Sequence, residues 1–189
     1  LHYVCENVVV DHSAVARAKL IFQKKFLEEL TEISKTHQLT KKLVNDMRKQ
    51  GDDIVEFVLP ALTEYFGNYE VVSVEEAIYE PITSFETDYK FKGFIDAVIV
   101  APDSRGNDKV WILDWKTAQS YGWRKEKKQS ILMTAQLILY KHFWSRKHNI
   151  DLKDVRCGFI LLKRGGKPGK ICELVTVSVG PKTLERGKK

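Results

Sequence analysis

Two apolar runs joined by a turn-forming segment constrain the fold of this chain most strongly. The first run extends from Tyr89 to Ile99, the second from Val110 to Trp115, and the segment Pro102–Asn107 between them is rich in turn-forming residues. Aromatic and β-branched residues in such short runs are typical of strands, and a polar turn of this length joins antiparallel neighbours. The middle of the chain therefore predicts a long β-hairpin with an exposed turn.

Helical and extended patterns flank this hairpin. Apolar side chains recur at helical spacing over residues 12–37 and again from about 40 to 66, where Gly51 is a candidate break or bend. The remaining elements are a strand before the hairpin, a helix after it and two closing strands, over Val71–Ile78, Ser130–Trp144, Val155–Leu162 and Ile171–Val179. The predicted order is ααβββαββ.

This order predicts one α/β domain over residues 1–189, with a mixed sheet flanked by helices. Its helical N-terminal part covers about 12–66 and its core about 70–180. A length of 189 residues suits one domain, and 43% hydrophobic with 30% charged residues is ordinary for a folded chain.

The cysteines and the hydropathy pattern indicate which cellular compartment and which partners to expect. Cys5, Cys157 and Cys172 are widely spaced and odd in number, so neither a disulfide framework nor a zinc site is indicated, and a reducing intracellular setting is expected. No stretch reaches the roughly 18 to 20 apolar residues of a membrane span, and residues 1–10 lack the pattern of a signal peptide. We therefore expect no membrane partner.

Charged residues embedded in the hairpin carry the candidate chemistry. Asp114 and Lys116 are two apart on a strand and share a face, whereas Trp115 points to the opposite, helix-covered side. Pairing of the two strands would bring Asp96 beside them. Two convergent carboxylates are oxygen ligands of the kind that Mg²⁺ prefers.

The part played by Lys116 stays open at this stage. It would orient or help deprotonate an attacking water, or stabilise negative charge on a phosphate in the transition state. The alternative is that Asp114 and Lys116 form an exposed ion pair worth under about 1 kcal/mol, with Asp96 as a turn residue. The apolar surroundings disfavour that alternative, because unpaired charge is costly there.

Three motifs together resemble a known family. Gly93–Asp96, Asp114–Thr117 and Gln136–Tyr140 match in order and spacing the PD-(D/E)XK nucleases, specifically their RecB-like branch, over roughly Gly51–Leu162. The resemblance implies a restriction-endonuclease-like core and metal-dependent phosphodiester hydrolysis. It implies Asp96 and Asp114 as ligands of Mg²⁺, for which Mn²⁺ would substitute, and Lys116 as catalytic.

The resemblance also bears on more distant residues. Gln136 and Tyr140 lie four apart on one helix face, which alone is more often core, but in the RecB-like branch this pair borders the active site and would position Lys116 or the DNA backbone. For the upstream acidic ligand that the family often has, Glu56 is our choice, and the alternatives are Asp53 or neither residue. The cysteines are too few for the iron–sulfur cluster of some relatives.

The substrate expected from this resemblance is DNA with free ends or single strands. A net charge of +6, from 31 basic and 25 acidic residues, favours a polyanionic partner, although a basic run is also common on a solvated surface. Tyr121 and Trp123 would stack bases or else pack onto the core, next to basic residues that would hold phosphates, namely Arg124, Lys125, Lys127 and Lys128. The alternative functions are a structure-specific endonuclease and a catalytically inactive nucleic-acid-binding module.

Overall fold

The computed structural model describes residues 1–82 and 89–178. Helices occupy most of the first third of the chain and one long segment after the hairpin, as α1 His2–Val10, α2 Ala18–Ser34, α3 Lys41–Val55, α4 Val58–Phe66, α5 Lys125–Lys128 and α6 Ile131–His148. The strands are β1 Glu70–Pro81, β2 Lys90–Pro102, β3 Asp108–Ala118, β4 Val155–Lys163 and β5 Cys172–Val177. The predicted α/β class is confirmed.

The N-terminal region differs from the prediction in two ways. Helix α1 was not predicted, and the expected helix over 12–37 begins as a 3-10 turn, His12–Arg17, before α2. The valine run at the end of α1 has a high strand propensity, yet the helix buries one face through Val4, Cys5, Val8 and Val9. Tertiary burial therefore overrides local propensity in α1.

The break between the two helices over 40–66 lies at Glu56 and Phe57 rather than at Gly51. Gly51 lies within α3, where a Cβ atom would stand only 2.0 Å from the Cζ atom of Phe22. The glycine is needed for close packing of that ring. Its predicted role as a helix break is therefore wrong.

The strands form one sheet in the order β1-β2-β3-β4-β5. Strands β1 and β2 are antiparallel, as are β2 and β3, whose hairpin closes through Asp103 and Asn107 with Gly106 at φ 79°. The predicted hairpin and mixed sheet are confirmed. The predicted last strand extended to Val179, which lies outside the described residues.

The contacts divide the chain into two compact units. The first comprises Leu1–Tyr65, Thr117–Gly122 and Leu161–Glu173, and its core includes Val8, Phe22, Ile54 and Leu62. The second comprises Phe66–Lys116, Trp123–Ile160 and the described part of Leu174–Lys189, and its core includes Ile95, Ile99, Ile112, Leu137 and Trp144. The single domain stays a prediction.

Two findings concern membrane-spanning helices and the cysteines. Among the described residues, no helix combines the length and the apolar character that crossing a membrane requires. Cys5, Cys157 and Cys172 are all free and buried.

One carboxylate on β1 holds helix α6 against the sheet. Glu76 accepts hydrogen bonds from Ser73, Trp144 Nε1, Lys147 and His148 at 2.6–2.9 Å. Burial alone would raise the pKa of Glu76, but the hydrogen bonds from these four side chains outweigh it and lower the pKa to about 2. Three of the four partners belong to α6, so this cluster fixes the helix that carries Gln136 and Tyr140.

Candidate active site

Asp96 and Asp114 lie on neighbouring strands of the hairpin. The register of β2 and β3 pairs Ala97 with Leu113, and one step further along both strands it places Asp96 opposite Asp114. The Oδ2 atom of Asp96 accepts a hydrogen bond from the Trp115 backbone N–H at 2.7 Å. The structure therefore brings together the two carboxylates that the sequence singled out.

Both carboxylates are removed from solvent. Asp96 is 8% exposed and Asp114 only 1%. Burial raises the pKa of Asp96 to about 7, the charge of Asp114 adds to the rise, and the Trp115 N–H and Lys116 oppose it. Negative charge at this position is therefore incompletely balanced by the protein, which favours uptake of a proton or a cation.

Lys116 shares the face of Asp114, as strand alternation predicted. Its Nζ atom lies 2.6 Å from Asp114 Oδ2, and the ring of Phe159 is 6.0 Å from the same ammonium. Because the Asp114 side chain is 2% exposed while that of Lys116 is 29% exposed, this is not the surface ion pair of the alternative interpretation. Trp115, on the opposite face, is fully buried, as expected.

The donor set fits a hard divalent cation in its chemistry. Asp96 and Asp114 supply oxygen donors, and the raised pKa of Asp96 indicates excess negative charge that a cation would neutralise. Within residues 1–82 and 89–178, no group of three acidic, histidine or cysteine side chains is close enough to form a metal site. Two carboxylates leave several positions for water or phosphate, which suits Mg²⁺.

Glu75 is a charged neighbour that sequence reasoning missed. On β1 it stands between the pairs Val74–Ala97 and Glu76–Ile95, and so opposite Asp96. Its φ of 48° is unusual for a residue other than glycine, and its charge contributes to the raised pKa of Asp96. Finding it from the sequence would have required the register between β1 and β2.

Gln136 and Tyr140 contact each other and strand β2. Gln136 Nε2 donates to the Tyr140 hydroxyl at 3.0 Å, and the ring lies against Gly93, where a Cβ atom would be 2.5 Å from Tyr140 Cε1. Gly93 and Asp96 are three positions apart on a regular strand, so they face opposite sides of the sheet. The structure thus places the pair on the face that α6 covers.

The upstream acidic residues lie at the end of α3. Glu56 is exposed and forms an ion pair with Lys19. Asp52 accepts hydrogen bonds from Gln23, and Asp53 is exposed. The choice of Glu56 as a metal ligand stays a prediction.

The aromatic residues of the loop after β3 divide between surface and core. Tyr121 is 69% exposed and available for stacking, whereas Trp123 is 7% exposed and packs against Phe159 with ring centroids 5.1 Å apart. The stacking role considered for Trp123 is therefore corrected to core packing, because its ring face is already covered. Lys127 contributes to that cover, with its Nζ atom 4.6 Å from the Trp123 ring centre.

The basic residues of the same loop lie mainly at the surface. Arg124, Lys125 and Lys127 are exposed, and Lys128 is half-buried. Three of the four lie in α5, a single helical turn. The loop therefore presents positive charge to solvent. Both the phosphate-binding and the solvated-surface interpretations predict this exposure.

Comparisons with curated proteins and with solved structures give little information on this chain. A search of curated proteins gave no match. Among solved structures, one titled "Crystal structure of SSO0001" matches with 15% identity and a TM-score of 0.40, covering 88% of this chain and 83% of that chain.

A family model gives a stronger result. The model of the PD-(D/E)XK nuclease superfamily matches residues 5–183. The observed α/β architecture, with its five-stranded mixed sheet flanked by helices, agrees with the restriction-endonuclease-like fold of that superfamily. Its members are nucleases that generally use divalent metal ions and act on nucleic acids. Because the match spans nearly the whole sequence, the chain belongs to the PD-(D/E)XK nuclease superfamily.

Proposed function

We propose that this chain is a Mg²⁺-dependent deoxyribonuclease of the RecB-like branch, acting as an exonuclease on DNA ends or single strands. The observation that carries the proposal is the cluster of buried Asp96 and Asp114 with half-buried Lys116, a raised Asp96 pKa and a 2.6 Å contact between Lys116 and Asp114. Burying charge is costly, and buried groups with strongly shifted pKa values concentrate at functional sites.

Asp96 and Asp114 are the proposed metal ligands. The backbone N–H of Trp115 orients Asp96 by its hydrogen bond to Oδ2. When bound, Mg²⁺ would supply Lewis acidity toward the phosphodiester and lower the pKa of an attacking water. Glu56 is the proposed upstream ligand, and Asp53 is the alternative residue for that role.

Lys116 is the proposed catalytic base or transition-state cation. Its contact with buried Asp114 fixes the ammonium while leaving nearly a third of the side chain open to solvent. In that position it would orient the attacking water or stabilise the charge that builds on the phosphate oxygens. Gln136 and Tyr140 are proposed as positioning residues, acting through strand β2.

Substrate contacts are proposed for the basic loop. Exposed Tyr121 would stack on a base, and Arg124, Lys125, Lys127 and Lys128 would neutralise phosphates. Trp123 is left out of the stacking role because it is packed in the core.

The test compares cleavage of end-labelled linear DNA with that of closed circular DNA, in Mg²⁺ and in Mn²⁺. We expect the linear substrate to lose terminal nucleotides while the circle remains intact. Asp114→Asn and Lys116→Ala should each abolish cleavage, whereas Asp108→Asn, an exposed aspartate at the far end of β3, should cleave normally. A thermal melt of each variant shows that the fold is retained.

The alternative functions give different outcomes in the same assay. Cleavage of a closed circle that carries a junction or a flap would identify a structure-specific endonuclease. DNA binding without degradation by the wild-type chain would identify an inactive binding module. Undiminished cleavage by the Asp114 or Lys116 variant would overturn the proposed active site.

A further inference from the structure

An apolar recess in the first unit lies outside the proposed active site. It has a volume of ≈ 340 Å³ and is lined by residues of α2 and α3 together with Leu1, His2, Thr117 and Arg164. That volume lies at the lower end of the range of small-ligand sites, about 300–1,000 Å³. The recess therefore suits one planar ring system rather than a larger ligand.

The apolar part of the recess presents aromatic rings. Phe22 and Phe26 line it with ring centroids 5.5 Å apart and planes inclined by 31°, and Met47 adds a flexible thioether. The Phe22 ring packs directly against Gly51, where any side chain would collide with it. The glycine thus lets the Phe22 ring pack directly on α3.

Four polar side chains, His2 among them, complete the lining. Gln50, Thr117 and Arg164 border the same recess. In the part of the chain that the structure describes, none of these three side chains has a hydrogen bond or an ion pair. An unpaired guanidinium beside aromatic rings is matched to a ligand that combines a planar ring with a phosphate.

The chain itself links this recess to the candidate catalytic lysine. Thr117 follows Lys116 directly in β3, so the two residues are consecutive. Arg164 is tied to the same segment by its backbone N–H, which donates to the Ala118 carbonyl at 2.9 Å. Side chains alternate along a strand, so Thr117 points away from the face of Lys116, and it is the main chain that connects the recess with the candidate site.

We propose that this recess binds one unpaired nucleobase of a DNA strand, with Phe26 against the base and Arg164 on its phosphate. The inference rests on the proposed nuclease function, for which it specifies the substrate class. A base inside a duplex is stacked and paired and must be extruded before it enters a pocket, whereas a single strand or frayed end presents it directly. The recess thus selects strands with unpaired bases.

The test measures base stacking directly, without cleavage. A single-stranded oligonucleotide with 2-aminopurine at its 5′ end, and a second with it at the 3′ end, are bound to the wild-type chain in Ca²⁺. Stacking on an aromatic side chain quenches this fluorophore, so we expect quenching with at least one of the two probes. The Phe26→Leu variant keeps an apolar side chain but loses the ring, and should lose the quenching.

The affinities give a second measurement. Base stacking of about 1–3 kcal/mol corresponds to a roughly 5- to 150-fold weaker affinity of Phe26→Leu for single strands. Closed circular duplex should be affected less than about twofold by the same change, since its bases are stacked and paired. Phe26→Tyr, which keeps a ring, should restore quenching, and Leu27→Ala, which alters an exposed residue of α2 outside the recess, should bind as the wild type does.

The phosphate contact has its own pair of variants. Arg164→Gln should weaken single-strand binding and reduce the slope of log affinity against log salt by about 1. Lys167→Gln removes one charge from the same turn without touching the recess, and should keep the affinity of the wild type for the quenched probe. Equal effects of the two substitutions would overturn the part assigned to Arg164.

Failure of this inference is distinguishable from failure of the proposed function. Cleavage by the wild type with no 2-aminopurine quenching, or with Phe26→Leu unchanged in quenching and affinity, overturns the base-binding recess alone. Quenching by a wild-type chain that does not cleave overturns the nuclease and supports the recess. The Asp114→Asn variant should quench normally, because the recess is built from other residues.

Discussion

Glu76→Gln is expected to destabilise the fold in a pH-dependent way. The substitution keeps the shape of the side chain and removes the charge that four donors share. The pKa of Glu76 falls from the ordinary 4.5 to about 2, which corresponds to roughly 3 kcal/mol at about 1.36 kcal/mol per pKa unit. Because the carboxylate and its partners keep contact with solvent, screening reduces this figure, and we expect about 1.5–2 kcal/mol at pH 7.

The sign of the pH dependence follows from the lowered pKa. A carboxylate with a depressed pKa stabilises the folded state fully above its unfolded pKa, near 4.5, and loses that contribution as pH falls toward about 2. The difference in free energy of unfolding between wild type and Glu76→Gln should therefore be constant from pH 7 to about 5. It should shrink steadily at pH 4 and pH 3.

Urea unfolding followed by circular dichroism measures this difference at each pH. The matched control is Glu80→Gln, also on β1, whose carboxylate makes one 3.6 Å ion pair with Arg146 of α6. That control should cost under about 1 kcal/mol, as for exposed pairs. A Glu76→Gln variant as stable as the wild type at pH 7, or one whose deficit does not change between pH 5 and pH 3, would refute the reasoning.

Three further outcomes are expected. Since the pKa of Asp96 is about 7, a proton competes with a metal ion below that pH, so Mn²⁺ affinity measured by calorimetry should fall up to tenfold per unit from pH 7 to pH 5; a flat profile would contradict this. Gly93→Ala should cost about 1–3 kcal/mol of unfolding free energy by overpacking against Tyr140, and Gly93→Ala combined with Tyr140→Leu should cost less than the sum of the two single changes. Burial raises the pKa of the Cys157 and Cys172 thiols to about 12, so neither should react with a thiol reagent at pH 8 until the chain is unfolded, and rapid labelling of the native chain would show that they are accessible.

The candidate active site was largely predictable from the sequence because it depends on local rules. Strand alternation places Asp114 and Lys116 on one face, and one hairpin turn sets the register that brings Asp96 opposite Asp114. Both rules operate over fewer than about 25 residues. The family resemblance then supplied the chemistry, and the superfamily match confirms it at that coarser level.

Other features escaped the sequence for physical reasons that differ from case to case. Helix α1 was missed because its valines favour strands locally and become helical through the burial of one face. The position of Trp123 was left open because loop periodicity does not indicate burial, which its contact with Phe159 decided. Glu75 requires the pairing of β1 with β2, whose connection contains the undescribed residues 83–88.

What the sequence alone determined is the hairpin with its two carboxylates and a lysine, since spacing along one strand pair fixes which side chains meet. Tertiary structure decided how far those charges are buried, and hence the raised pKa of Asp96. It also decided the hydrogen bond between Glu76 and Trp144, 68 residues away, and the close packing of the Phe22 ring on Gly51. Desolvation and distant partners arise only when separate segments pack together, so no local pattern encodes them.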